Sequence, residues 1–508
     1  MEPDKMNVLL VYPKFPETFW SFTYALSFIG KKTAFPPLGL LTVAALLPDG
    51  WNKRLVDLNV QDLLDGEVKW ADMVFISGMA VQRTSAEQTI ARCRVLERTV
   101  VAGGPLFSAE PEEFGEVDHL VLDEAEVTLP IFLGDLGRDQ PKKFYRANGF
   151  SAMSATPPPQ WNLIQVKHYA SMSIQFSRGC PFNCEFCNVT TLFGRQTRTK
   201  TPLQVITELD RIYATGWRGS IFFVDDNFIG NKGYLKTRLL LELIEWRKGK
   251  KGCVFFTESS INLADDPELL ALMVEAGFDS VFIGIESPDE DSLTECHKHQ
   301  NKNRDLLHSV KCIHRSGLQV MGGFIVGFDS DLPSIFQRQI DFIQNSGIVI
   351  AMVGMLQAPP GTSLFERLRR ESRVVKFFSG DNVDGTTNII PRMGMDNLRD
   401  GYRSIMEHIY SPANYYRRVR TLLRELKAPE STMPLDLQRV LSFFRAAFRL
   451  GVLGRERFHY WYLMLWTLAH RPRQLALAVT LSNYVHHYLK ICELYNFDDG
   501  NERVKRIT

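Results

Sequence analysis

Ser177-Arg-Gly-Cys180-Pro-Phe-Asn-Cys184-Glu-Phe-Cys187 places three of the chain's eight cysteines in one short segment, with three and then two residues between them. The others, Cys93, Cys253, Cys296, Cys312 and Cys492, are scattered. That spread is too sparse for a disulfide framework in 508 residues, and a reducing compartment fits best. A structural zinc site would need a fourth Cys or His at matching spacing. A four-thiolate iron–sulfur site would need a fourth cysteine nearby, and the next one downstream is Cys253. Three thiolates without a fourth leave one iron of a [4Fe–4S] cluster open to another ligand.

Outward from this segment, an apolar run at 171–177 reads as a strand, and five more follow at 220–225, 254–258, 280–285, 320–326 and 351–356. Helical patterns at 202–214, 234–246, 267–276, 304–316 and 332–346 separate them. This alternation predicts a parallel β/α barrel, here a partial (β/α)6 barrel over residues 165–373, with its chemistry at the carboxyl ends of the strands. Residues 148–164, with Pro157-Pro158-Pro159, lack apolar periodicity and read as a linker.

Before the linker, residues 1–147 alternate strands at 7–12, 54–58, 73–77, 100–103 and 120–123 with helical patterns at 38–47 and 86–97. The expectation is an α/β, doubly wound (Rossmann-like) domain, whose ligand sits beyond the strand ends. Those ends are Tyr12-Pro13, Asp57-Leu58-Asn59, Ser77-Gly78-Met79, Gly103-Gly104-Pro105 and Asp123-Glu124. As a set they suggest a nucleotide-like or corrin-like ligand.

After residue 373 the strand signal fades, and 374–508 is expected to be a helical C-terminal domain. Formal net charge is only +1, yet residues 401–508 carry 17 Lys and Arg against 9 Asp and Glu. A helix at 437–450 puts Leu437, Val440, Leu441, Phe444 and Phe448 on one face, with Arg445 and Arg449 beside it. With the aromatic run Phe458-His459-Tyr460-Trp461-Tyr462, this is either a cap packed on the barrel or a basic amphipathic surface for membrane lipid. No stretch reaches the about 20 apolar residues of a spanning helix, and no signal segment opens the chain. A cytoplasmic protein is expected, in peripheral contact with the inner face of the membrane. His297 and His299 beside Cys296 read as a solvated loop. No Ser/His/Asp order or Walker loop appears, and no motif for nucleic acid accompanies the basic residues.

Cys180, Cys184 and Cys187, with Phe186 before the last, resemble the radical S-adenosylmethionine (SAM) superfamily. In that family the open iron chelates the amino and carboxylate groups of SAM, and an electron from the cluster cleaves SAM to a 5′-deoxyadenosyl radical. The resemblance implies further SAM contacts in strand order. Asp225, Asp226 and Asn227 stand where the family usually has a Gly-Gly-Glu-type segment for the amino group. Glu258 and Ser260 resemble the ribose position, and Glu286 matches the fourth strand end. Gly323 and Ile325 lie in the glycine-rich segment that lets backbone approach the adenine.

A doubly wound domain ahead of such a barrel resembles the cobalamin-binding domain of the cobalamin-dependent subclass. Pro37-Leu38-Gly39-Leu40-Leu41, Gly103-Gly104-Pro105 and Asp123-Glu124-Ala125-Glu126 match its recurring segments. The implied cobalamin contacts are Leu38, Gly39, Leu40, Asn59, Ser77, Met79, Gly103, Gly104 and Glu124. One departure stands out: Asn59 occupies the place of the cobalt-ligating His in an Asp-x-His-x-x-Gly motif, so no imidazole from this position reaches the metal.

Tyr12-Pro13-Lys14-Phe15-Pro16, Lys31-Lys32-Thr33-Ala34-Phe35-Pro36-Pro37 and Ile409-Tyr410-Ser411-Pro412 are similar to the hopanoid C-2 methylases, and the likeness runs over nearly the whole chain. It implies a radical SAM C-methyltransferase that methylates an unactivated carbon of a polycyclic lipid, C-2 of a hopanoid. The implied cofactors are a [4Fe–4S] cluster, SAM and cobalamin, carried as methylcobalamin, with an electron donor such as flavodoxin or ferredoxin. No catalytic side chain beyond the cofactors is required. A cobalamin radical SAM enzyme that methylates, rearranges or cyclises another substrate would share these motifs; a product heavier by one methylene separates methylation from the rest. A non-catalytic cobalamin or iron–sulfur sensor is the alternative of another class, and release of 5′-deoxyadenosine excludes it. A methylthiotransferase would need a second cluster, which the scattered cysteines do not supply.

Overall fold

The computed structural model describes residues 5–381, 383–428 and 437–494. Its first six strands are β1 (Asn7–Tyr12), β2 (Asn52–Asp57), β3 (Met73–Ser77), β4 (Thr99–Gly103), β5 (His119–Val121) and β6 (Phe144–Tyr145). They form one parallel sheet in the order β2-β1-β3-β4-β5-β6. Val8 to Val11 of β1 are all buried because helices cover both faces. Leu9 and Val11 pack with Ile90 on one side, and Val8 and Leu10 with Leu40 and Phe132 on the other. The strand order reverses at β1, which puts a crevice between β1 and β3 at their carboxyl ends.

The second sheet holds β7 (Ser171–Ile174), β10 (Ser220–Phe223), β11 (Val254–Ser259), β12 (Phe278–Glu286), β13 (Gln319–Val326) and β14 (Ala351–Met355). Between β7 and β10 a small antiparallel pair intervenes, β8 (Ser177–Arg178) with β9 (Arg198–Thr199). The large sheet is fully parallel in the order β14-β13-β12-β11-β10-β7, as a partial (β/α)6 barrel requires. Ile221, Phe223, Phe255, Val281, Ile283 and Val320 are buried under the outer helices. The alternate positions Phe222, Phe256, Phe282, Met321 and Met352 face inward and stay partly exposed, so they give these strands an apolar inner lining.

A segment of the first domain covers the open side between β7 and β14. Thr33 pairs with Tyr169, and Ser171 N–H donates to Ala34 O at 2.9 Å beside β7. At the other margin the Trp20 indole N–H reaches Met352 Sδ at 2.8 Å, and its ring lies 5.3 Å from Phe282. The expected helix at 234–246 is broken by a π turn, Leu235–Leu239, between Lys232–Tyr234 and Leu240–Lys248.

Past the barrel come helices Met395–Tyr410, Pro412–Glu425, Leu437–Phe448, Arg457–His470 and Leu475–Leu494. The first two cap the barrel: Tyr410 Oη donates to Ala351 O at 2.7 Å, and the fully buried Arg418 donates to Ile409 O and Val349 O. Phe19 stacks on Tyr488 at 4.4 Å, so the N-terminal segment is clamped against the last helix. No helix among the described residues is long and apolar enough to cross a membrane.

Candidate active site

Asp225, just past β10, accepts hydrogen bonds from Phe176 N–H at 3.1 Å, from Ser177 N–H, and from Ser177 Oγ at 2.5 Å. It thereby fixes the entry of the cysteine segment at the end of β7. Gly179 sits at φ 90 against the carbonyls of Phe193, Gly194 and Gln196, where a Cβ would not fit. Cys180 N–H donates to Gly194 O at 3.2 Å and Cys187 N–H to Cys184 O at 3.1 Å. All three thiols are partly exposed. Asn227 Nδ2 approaches Cys180 Sγ at 3.9 Å, and Gln300 Nε2 approaches Cys184 Sγ at 3.8 Å.

Lys298 enters the same site from the loop after helix Glu290–Glu295. Its ammonium pairs with Glu286 Oε1 at 2.7 Å and lies 5.9 Å from the Phe186 ring. Burial alone would lower its pKa, but Glu286 and Cys184 outweigh that and hold it above the ordinary lysine range. Sequence reasoning took this loop as solvated; His297 and His299 are exposed as expected, whereas Cys296 is buried and Lys298 turns inward. His297 supplies the turn, at φ 57.

Among the described residues no three His, Cys, Asp or Glu side chains converge on one metal ion. Thiolates that each hold a different iron of a cluster need not converge on a point. Burial pushes the Cys187 thiol up to about 12 and the Cys180 thiol upward, so thiolates form here only when cations stabilise them. Two amide donors, a buried ammonium and partial exposure fit a thiolate-held iron–sulfur cluster.

The expected SAM residues ring the same strand ends. Burial raises Asp225 to about 7, Asp226 to about 6 and Glu258 to about 8; Asp226 and Asp225 add to the shift of Glu258. Such carboxyls suit a cationic ligand that would ionise them. Asn227 Oδ1 accepts from Ser260 N–H and Oγ, both at 3.2 Å, which joins the ends of β10 and β11. Glu286 sits at φ 62 and already pairs with Lys298. The missing Cβ at Gly323 leaves room for the Phe282 ring, and Ile325 packs with Phe186 and Phe328.

Paired charges bring the carboxyl ends of the two sheets together. Arg198 donates to Glu124 at 2.7 Å, Arg178 to Glu126 at 2.8 and 3.0 Å, and Tyr169 Oη to Asp57 Oδ2 at 3.0 Å. Arg178 lies two residues before Cys180, so the first domain is braced on the start of the cysteine segment. Glu124, expected at the cobalamin site, is buried with its oxygens on Arg198 and Ser151 N–H. Asn59 is likewise engaged: Nδ2 donates to Asp57 Oδ1 at 2.7 Å, and Oδ1 accepts from Phe15 N–H at 2.8 Å. Gly104, at φ 88, packs against Ser77 and could not carry a side chain; Gly103 lies equally close to Val121 O. Exposed Met79, and Gly39 with nothing within 4 Å of its Cβ position, leave the strand edge open; Leu38 and Leu40 turn into the packing. The edge fits a ligand held by backbone and apolar contacts, with no imidazole at residue 59.

Sequence reasoning missed Lys298, Gln300, Arg178 and Arg198. The arginines lie within or just beyond the cysteine segment, opposite an acidic strand end, and that charge pattern was a usable signal. Lys298 and Gln300 offered none, because their loop returns over the cysteines only through the tertiary fold.

Family models match three parts of the chain: B12 binding domain at residues 32–133, Radical SAM superfamily at 174–342, and a domain of unknown function (DUF4070) at 362–498. An uncharacterized methyltransferase of Synechocystis is 40% identical over 98% of this chain and 94% of its own length. The hopanoid C-2 methylase of Rhodopseudomonas palustris is 34% identical over 90% of this chain and 88% of its own. Among solved structures, the cobalamin-dependent S-adenosylmethionine radical enzyme OxsB, with aqua-cobalamin and S-adenosylmethionine bound, shares the fold. It superposes with a TM-score of 0.63 at 15% identity, covering 97% of this chain and 80% of that one.

Proposed function

The chain belongs to the cobalamin-binding radical SAM methyltransferases, and from that premise we propose that its substrate is a polycyclic lipid, methylated at C-2 of a hopanoid. A [4Fe–4S] cluster, SAM and cobalamin are the family's cofactors; together they supply hydrogen abstraction from an unactivated carbon and delivery of a methyl group. The observation that carries the substrate reading is the 34% identity to a hopanoid C-2 methylase along 90% of the chain, which includes the helical C-terminal part. The barrel interior supports it. Phe222 and Phe256 stack at 4.7 Å with Phe35 beside them, and Phe282, Met321, Met352 and Trp20 extend an apolar lining.

In this reading Cys180, Cys184 and Cys187 hold the cluster, and Phe186 shields it. Asp226, Asn227, Glu258, Ser260 and Glu286 receive the polar groups of SAM, with Gly323 and Ile325 at its adenine, while Asp225 keeps the cysteine segment in place. Gly39, Ser77, Met79, Gly103 and Gly104 line the cobalamin edge. Residues 1–147, 165–373 and 374–508 act as cobalamin, SAM and substrate-facing units, joined by 148–164. An electron donor such as flavodoxin or ferredoxin reduces the cluster, and the protein meets its lipid at the inner face of the membrane.

The test is deletion of the gene in its host, with polycyclic lipids compared by mass spectrometry. Loss of a hopanoid one methylene heavier, restored by the wild type and not by Cys184→Ala, is the expected result. An unchanged hopanoid profile would overturn the substrate and leave the family standing.

A further inference from the structure

Ten of the 24 exposed large apolar side chains among the described residues fall between Leu441 and Leu468; elsewhere they are scattered along the chain. They follow helical spacing. Phe444 and Phe448 lie on one face of helix Leu437–Phe448, and Phe458, Trp461, Tyr462 and Leu465 lie on one face of helix Arg457–His470. Phe458 is 76% exposed and Leu465 65%. The opposite faces are buried through Ala446 and Leu450, and through Tyr460, Leu463, Met464 and Thr467. Both helices pack on helix Leu475–Leu494, so the exposed faces look away from it. The Trp461 indole donates to Gly451 O at 3.0 Å and joins the two faces across the turn Arg449–Leu453. Side chains of residues 437–440, including Leu437 and Val440 of the expected face, lie outside the described residues.

Charge selects the occupant. Between residues 441 and 473 the chain carries Arg445, Arg449, Arg455, Arg457, Arg471 and Arg473 against a single carboxylate, Glu456, which is buried. Arg445 and Arg449 turn to Phe28 O and Ser27 Oγ, and Arg471 to Arg424 O, while Arg455, Arg457 and Arg473 are exposed. An aromatic and aliphatic face with these exposed arginines at its margin, on helices that cannot span a bilayer, complements a surface with acyl chains beneath anionic headgroups. We propose that the joined faces of helices Leu437–Phe448 and Arg457–His470 dock on an anionic lipid bilayer and seat the protein where its apolar substrate resides. This rests on the lipid substrate proposed above, but its test needs neither substrate nor cofactors.

The experiment is flotation of the purified full chain with vesicles of phosphatidylcholine alone or mixed with phosphatidylglycerol. Expected is recovery with the anionic vesicles that falls about tenfold with Phe458→Glu plus Leu465→Glu, and also falls with Arg455→Glu plus Arg457→Glu or at high salt. Leu203→Glu, at another exposed leucine, should float like the wild type. Matching circular dichroism and melting of all variants would exclude misfolding. Failure of the wild type to float with anionic vesicles at low salt would overturn the proposal. So would a self-association, seen by light scattering, that Phe458→Glu plus Leu465→Glu abolishes while flotation persists, because the face would then belong to a second copy of the chain. Docking alongside unchanged hopanoids in the deleted host would reject the substrate and keep the surface.

Discussion

Glu258 lies half-buried near the end of β11, and burial, then the charges of Asp226 and Asp225, raise it to about 8. Asp225 at about 7 and Asp226 at about 6 are raised for the same leading reason. Folded pKa values above the unfolded ones mean that the native chain binds more protons than the unfolded chain. Their contribution is therefore complete at low pH and is lost as pH rises from about 4 through about 8. Each group changes stability by about 1.4 kcal/mol per pH unit while it titrates. Without SAM, the melting temperature should fall between pH 5 and pH 9, and Glu258→Gln should flatten that fall; a melting temperature that rises over the range would contradict the assignment. Lys298 makes a second prediction at this scale. Lys298→Met leaves Glu286 buried without its cation and should cost about 3 kcal/mol, read by urea unfolding. Iron retained after reconstitution should fall with it, and undiminished stability and iron would remove Lys298 from the site.

At these positions the sequence revealed chemistry that is local and hid chemistry that depends on the fold. Three cysteines at fixed spacing, with the strand-end motifs that follow them, point to a cluster site through their resemblance to the radical SAM family. Cys296-His297-Lys298-His299 looks like any charged loop, because what turns Lys298 inward is Glu286, at the end of the preceding strand. Asn59 and Glu124 were recognised as strand-end residues, but their partners Phe15, Ser151 and Arg198 lie on other segments.

Among the elements, the brace between the acidic end of β5 and the cysteine segment sets how the first domain meets the barrel. Arg178 and Glu126 are both nearly buried, at 11% and 3% side-chain exposure. Removing one partner, in Arg178→Met or Glu126→Gln, should destabilise the chain by about 3 kcal/mol, and the double variant by less than the sum. Urea unfolding of the four proteins gives the coupling directly; additive effects would show that the pair does not hold the domains. Strands and helices were themselves legible, since β1 and β3 coincide with their predicted runs and most others shift by a few residues at their ends. The π turn at Leu235–Leu239 was not, because the apolar period runs through it unbroken.

For the whole molecule, the α/β doubly wound domain, the partial barrel and the helical cap follow from the alternation of apolar runs and its fading after residue 373. What alternation could not convey is that residues 19–35 of the first domain close the barrel's open side, or that the last helix clamps them through Phe19 and Tyr488. Those contacts join segments hundreds of residues apart. With the proposed lipid held in the barrel interior, Trp20 would border the substrate, so Trp20→Ala should raise the KM for lipid with little change in the Kd of SAM. Loss of SAM affinity instead would assign Trp20 to the fold of the SAM site.

The central claim is radical methylation of a hopanoid, and it is tested most directly by incubating the reconstituted enzyme with SAM, cobalamin, a reductant and an unmethylated hopanoid, then analysing lipid and nucleoside products by mass spectrometry. The expected result is a hopanoid heavier by one methylene group, formed together with 5′-deoxyadenosine and absent with Cys184→Ala. Release of 5′-deoxyadenosine with no gain in hopanoid mass would contradict it.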